Sequence, residues 1–179
     1  MRGFTRLAAS RRRAFSRGLI LDFMNNTSLA GSIYSVVGDK YVFLVTGAET
    51  NGAYAVFEFF IPPGGGSPPH RHTREDEAFA VIDGEFEFHV AGKVQRRGAG
   101  EYLFAPRNIP HFFRNVGKTV GHMICTVTPA GLENFFAEFG TRLATRDAAA
   151  IPPGHEEIAR LKAAAPKYGL ELLPPPDQD

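Results

Sequence analysis

Residues 66–84 read "GSPPHRHTREDEAFAVIDG", with His70 and His72 one residue apart and Glu77 five residues further on. Side chains at i and i+2 of a strand share a face, so His70 and His72 are presented together. Glu77 begins the next strand after the short loop "TRED" and can turn back toward them. Two neutral imidazoles and a carboxylate converging in an interior are ligand types for a first-row divalent ion. The bland alternative is a hydrogen-bonded core histidine, and His-x-His by itself is a weak motif. The single cysteine, Cys125, excludes an internal disulfide framework and a cysteine-built metal site.

The elements that must hold these residues are short strands. From Ile33 to Thr128 the chain reads "IYSVV", "YVFLVT", "AYAVFEFFI", "EFEFHV", "VQRR", "EYLFAP", "HFFRNV" and "HMICTVT", punctuated by Gly, Asp and Asn. Alternating strands of this kind, with no helix between them, predict an antiparallel all-β sandwich or barrel. After Pro129 the period changes: Leu132, Phe135, Phe136 and Phe139 fall at helical spacing. A second helix is expected after "IPPGHEE", with Ile158 and Leu161 on one face, ending near "PKYG". The sequence therefore divides into an arm over 1–30, expected to be poorly ordered, a β domain over 31–130 and a helical extension over 131–179. "LPPPDQD" reads as a frayed end.

With 179 residues, 44% of them hydrophobic, the chain is long enough for one domain with a real core. Sixteen Phe and no Trp point to a Phe-rich interior or cavity. Six Arg and no acid lie in residues 1–21, so the rest of the chain is net acidic although the whole is +1. No basic face or stacking motif suits a nucleic acid, and no apolar run reaches the length of a membrane span. A cytoplasmic location is expected. The Arg-rich start leaves open a targeting segment, against the plainer reading of a free arm or an upstream start codon.

A second stretch, "GEYLFAPRNIPHFFRN" over 100–115, completes a pattern. Gly64, His70, His72, Glu77 and Gly84, followed by Gly100, Pro106, His111 and Asn115, resemble the paired motifs of the cupin superfamily. Asn108 stands where the family has glycine, and Asn tolerates the left-handed backbone of that turn. The resemblance covers residues 33–128. It implies a jelly-roll β-barrel holding one divalent transition metal (Fe, Mn, Ni, Zn or Cu) through His70, His72, Glu77 and His111. His89, His122 and His155 fill no slot: His89 is expected to be exposed, and His122 to line the pocket or join the core.

The chain is most similar to small single-domain cupins of the quercetin 2,3-dioxygenase type. That implies an oxygen-using enzyme acting on a small aromatic or enolisable substrate, with Glu77 as the catalytic proton acceptor. Strand alternation out of Glu77 and His111 places Phe79 and Phe113 beside the metal as substrate-pocket residues. A metal-dependent isomerase or lyase and a non-catalytic ligand-binding cupin are the alternatives, because fold alone does not choose among them. Phe135, Phe136 and Phe139 cannot all face water. They must cover the chain's own barrel or a second subunit, and a homodimer is the expectation.

Overall fold

The computed structural model describes residues 28–175. The Arg-rich start, with the targeting reading it left open, and most of the N-terminal arm therefore lie outside the described residues, as do the last four residues of the chain.

Two antiparallel sheets face each other, the layout of a jelly roll. One contains β1 (Ile33–Val36), β2 (Asp39–Val45), β3 (Ala55–Ile61), β5 (Asp76–Asp83), β8 (Tyr102–Ala105), β10 (Gly121–Thr128) and β11 (Thr141–Leu143), in the order β11-β1-β2-β3-β10-β5-β8. The other contains β4 (His70–His72), β6 (Glu85–Val90), β7 (Lys93–Gly98), β9 (His111–Asn115) and β12 (Leu170–Leu172), in the order β12-β4-β9-β6-β7. A one-turn helix, α1 (Gly47–Thr50), fills the connection between β2 and β3.

The alternation of apolar residues decides which way each strand faces. Phe57, Phe59 and Ile61 of β3 point inward, with Val56, Glu58 and Phe60 between them more exposed. Phe86 and Phe88 of β6 are buried in the same core from the other sheet. Phe79 lies 5.3 Å from Phe88 and 5.7 Å from Phe113, ring centre to ring centre, so the sheets are joined through packed aromatic rings. Such offset and edge-on pairs add stability beyond their buried area.

The C-terminal extension holds α2 (Leu132–Phe139), α3 (His155–Ala164) and a 3-10 turn over Ala165–Tyr168. It is not purely helical. β11 pairs with β1, and β12 pairs with β4, setting Leu170 opposite His72 and Leu172 opposite His70. The sheets therefore continue past residue 130. Three-residue strands are too short to show a period, which is why neither was legible in the sequence.

In α2, Leu132, Phe135, Phe136 and Phe139 are all buried, packed over the chain's own β domain. That removes the reason for assigning their cover to a second subunit. In α3 the buried face is Glu157, Leu161 and Ala164, with Ile158 only half-buried. The Glu157 carboxylate faces inward because it accepts a hydrogen bond from the Val37 amide at 3.0 Å.

Candidate metal centre

β4 and β9 are neighbours, and their register pairs His70 with His111. Glu77 opens β5 in the facing sheet, where alternation buries it with Phe79 and Val81. One ligand atom from each of His70, His72, Glu77 and His111 lies within 4.8 Å of the others, and all four residues are buried.

The loops before these strands are fixed by the remaining motif residues. Gly64 N–H donates to the Asn115 carbonyl, and Asn115 N–H returns a bond to Gly65, each at 2.9 Å. The Asn115 side-chain amide donates to the carbonyls of Ile61 and Thr119, and its oxygen accepts from Gly117 N–H. Asn108 takes φ +65°, as its type allows, and its N–H donates to the His72 carbonyl at 2.6 Å. That bond ties the second motif's turn to the first motif's strand. Gly66 passes so close to β9 that a Cβ there would lie 2.1 Å from the Phe113 carbonyl oxygen, so only glycine fits.

Each imidazole is turned by a bond at its outer nitrogen. His70 Nδ1 donates to the Pro68 carbonyl at 2.7 Å, and His111 Nδ1 donates to the Ile109 carbonyl at 2.8 Å. His72 Nδ1 donates to Glu75 Oε2 at 3.2 Å. Partners of this kind fix the tautomer and aim the other nitrogen at a metal. The three Nε2 atoms accordingly point at one another and at Glu77. His70 Nε2 and His72 Nε2 are 3.1 Å apart, and Glu77 Oε2 lies 2.9 Å from His111 Nε2 and 3.6 Å from His72 Nε2. A dry cluster of lone pairs and a carboxylate is stable only around a cation or protons shared among its members. The donor set therefore fits a divalent first-row ion.

The electrostatics agree. Burial by itself would raise the Glu77 carboxyl, but the surrounding imidazoles of His72, His111 and His70 reverse that and hold it at about 2. Burial, aided by the charges of His111 and His72, lowers His70 to about 3, so its lone pair is free. Burial also opposes charge on His72, yet the carboxylates of Glu77 and Glu75 outweigh it and raise its pKa. The second Glu77 oxygen accepts a long hydrogen bond from the buried Cys125 thiol at 3.8 Å.

The cluster borders a cavity of about 50 Å³, whose wall includes Tyr41, Phe59, Phe79 and Phe113. Phe79 and Phe113 thus lie where strand alternation puts them. α2, α3 and β12 contribute Phe136, Leu161 and Leu170 to the same wall, so the C-terminal extension forms part of the cavity. Two histidines depart from expectation. His89 is half-buried rather than exposed, stacked on Phe112 at 4.1 Å and bonded to Glu87 at 3.0 Å. His122 neither lines the cavity nor joins the core: it lies on the outer face of β10, stacked on Phe60 and 2.9 Å from Glu58. Sequence reasoning missed Glu75 and Asp39. Glu75 sits in the acid run three residues after His72, a spacing that could have drawn attention to it. Asp39, in a "GDK" turn, carried no such signal.

Residues 57–127 match the family described as the cupin domain. Oxalate oxidase 1 of Hordeum vulgare is 37% identical over 70 residues, covering 35% of this chain and 35% of its own. Germin-like protein 3-5 of Oryza sativa subsp. japonica is 40% identical over 72 residues, covering 35% of this chain and 31% of its own. This chain thus spans about a third of the length of the curated relatives it matches. Among solved structures, an RmlC-like cupin from Shewanella frigidimarina superposes with a TM-score of 0.50 at 25% identity, over 57% of this chain and 86% of that one.

Proposed function

We propose that this chain, a member of the cupin superfamily by its residues 57–127, is a metal-dependent, oxygen-using enzyme for a small enolisable or carboxylate substrate. The observation that supports this most is the convergence of three imidazole nitrogens and one carboxylate oxygen beside a mostly apolar cavity. His70, His72, His111 and Glu77 would hold the ion. A redox-active divalent metal bound there supplies a Lewis acid and an electron-exchange partner for dioxygen.

The chain's own residues do the rest. The Glu77 carboxylate, kept ionised, would take the acidic proton of an enolisable substrate. A fully ionised carboxylate has none to give and would need Glu77 only as a ligand. Phe59, Phe79 and Phe113 exclude water, which strengthens every charge interaction inside. The sequence motifs' resemblance to quercetin 2,3-dioxygenase-like cupins favours oxygen chemistry, and the cavity narrows the substrate. About 50 Å³ holds only a few heavy atoms, since one water takes roughly 10–15 Å³ of such cavity volume. A three-ring flavonol would need the C-terminal extension to move aside. The likeness to an oxalate oxidase points the same way, toward a small carboxylate.

Metal analysis of untagged protein, followed by oxygen uptake with oxalate, glycolate, small diketones, catechols and flavonols, tests this reading. Metal at one ion per chain, with uptake on a small carboxylate or diketone, is the expected result. Conversion of the same compound at an unchanged rate without oxygen would assign the site to an isomerase or lyase. A metal-free protein that turns over none of them would make it a binding module.

A further inference from the structure

Asp39, the first residue of β2, is only 1% exposed. Its Oδ1 is the one buried side-chain oxygen or nitrogen without a hydrogen-bond partner among the described residues. The fold makes room for it: a Cβ on Gly65 would sit 2.6 Å from that oxygen. Asp39 lines the same cavity as His70, His72 and Glu77. It also lines an outer cleft of about 740 Å³, together with Lys40, Phe60, Pro62 and Pro153. The carboxyl therefore sits in the partition between the cavity and the outside.

We propose that Asp39 is a ligand-holding residue of this cavity, donating a hydrogen bond to an oxygen of a small anionic substrate that extends to the His70–His72–Glu77–His111 cluster. The inference deepens the metal-centre reading and rests on it. An unpartnered buried carboxyl weakens a fold, so its presence asks for a partner that is not part of the chain. Burial raises Asp39 to about 8, so at neutral pH it holds its proton and can donate. A neutral donor gains most from a charged acceptor, and an anion is the partner that suits it.

The surroundings do not offer a competing charge. Lys40 points to the other face of β2, with its ammonium over the Phe60 ring and bonded to the Arg146 carbonyl. The Glu157 carboxylate is engaged by the Val37 amide. The loop beside Asp39 contributes Pro62 and Gly65, which are uncharged. Tyr41, two residues along on the same inward face, lies within the fields of both Asp39 and Glu77. Asp39, Tyr41 and Glu77 all line the one cavity.

The test compares the full-length protein with Asp39→Asn and Asp39→Leu. Metal content, melting temperature, and calorimetric titration with oxalate, glycolate and acetate are measured for each. Both variants are expected to keep the parent's metal content and to melt at or above its temperature. Asp39→Leu should bind oxalate and glycolate at least tenfold more weakly, and Asp39→Asn, whose amide still donates, should fall between. Binding within twofold of the parent in Asp39→Leu overturns the proposal, as does a parent that binds none of the three anions. A parent that holds no metal refutes the metal-centre reading separately. The same titrations on the metal-free chain then still decide the role of Asp39 by the same comparison.

Discussion

Two carboxyls border one small cavity, and their environments differ in every respect. Glu77 is ringed by three imidazoles and held at about 2, while Asp39 has burial and no partner and is raised to about 8. At neutral pH one is a bare carboxylate and the other a neutral acid. Environments that push two titratable groups apart in this way assign the acceptor and donor roles of a site. The contrast also separates what serves the fold from what serves the ligand. Every outer nitrogen around Glu77 has a protein partner. The Asp39 oxygen has none.

The largest expected effect is loss of the ion on which the Glu77 side depends. His70→Ala combined with His72→Ala should abolish metal binding, read by elemental analysis after dialysis. Full occupancy in that double variant would remove the cluster from consideration as a metal centre.

Glu77→Gln keeps the shape and removes the charge. With any substrate returned by oxygen uptake, turnover should fall by about 10²–10⁴, the range for loss of a general base, with the metal retained at lower affinity. An unchanged rate would leave Glu77 as a ligand only.

Glu75→Gln tests the orientation of His72. Loss of a carboxylate behind a ligating histidine typically costs about 10–100-fold in metal affinity. A competition titration with a chelator measures this. No change would mean that the His72 ring is held by packing alone.

The smallest effect concerns stability, and its sign follows from linkage. The folded chain keeps a proton on Asp39 that the unfolded chain releases above about pH 4. This contribution is complete below the unfolded pKa and is lost as pH rises through about 8. Asp39→Asn should therefore gain on the metal-free parent as pH rises from about 5 to about 8, by at most about 1.4 kcal/mol per pH unit. Parallel melts that showed a constant difference would mean that Asp39 is ionised throughout, and the contrast with Glu77 would disappear.

Residue type and spacing determined a large part of this protein. Strand alternation is local, so "AVFEFFI" and "EFEFHV" carried their inward faces in the sequence, and the helical spacing of Leu132, Phe135, Phe136 and Phe139 fixed α2. The resemblance to the paired cupin motifs implied His70, His72, Glu77 and His111 as a set, and the strands bring those four together. Long-range contact decided the rest. β12 pairs with the histidine strand from a hundred residues away through three residues too few to show a period. The same extension lines the cavity with Phe136, Leu161 and Leu170, which no local pattern encodes. Whether Phe135, Phe136 and Phe139 cover their own barrel or a neighbour's was open in the sequence, because a buried face does not specify what buries it. Asp39 reads as an ordinary turn residue until the fold buries it against the Gly65 loop. Burial of a charge is a property of everything packed around it, and only the tertiary structure supplies that.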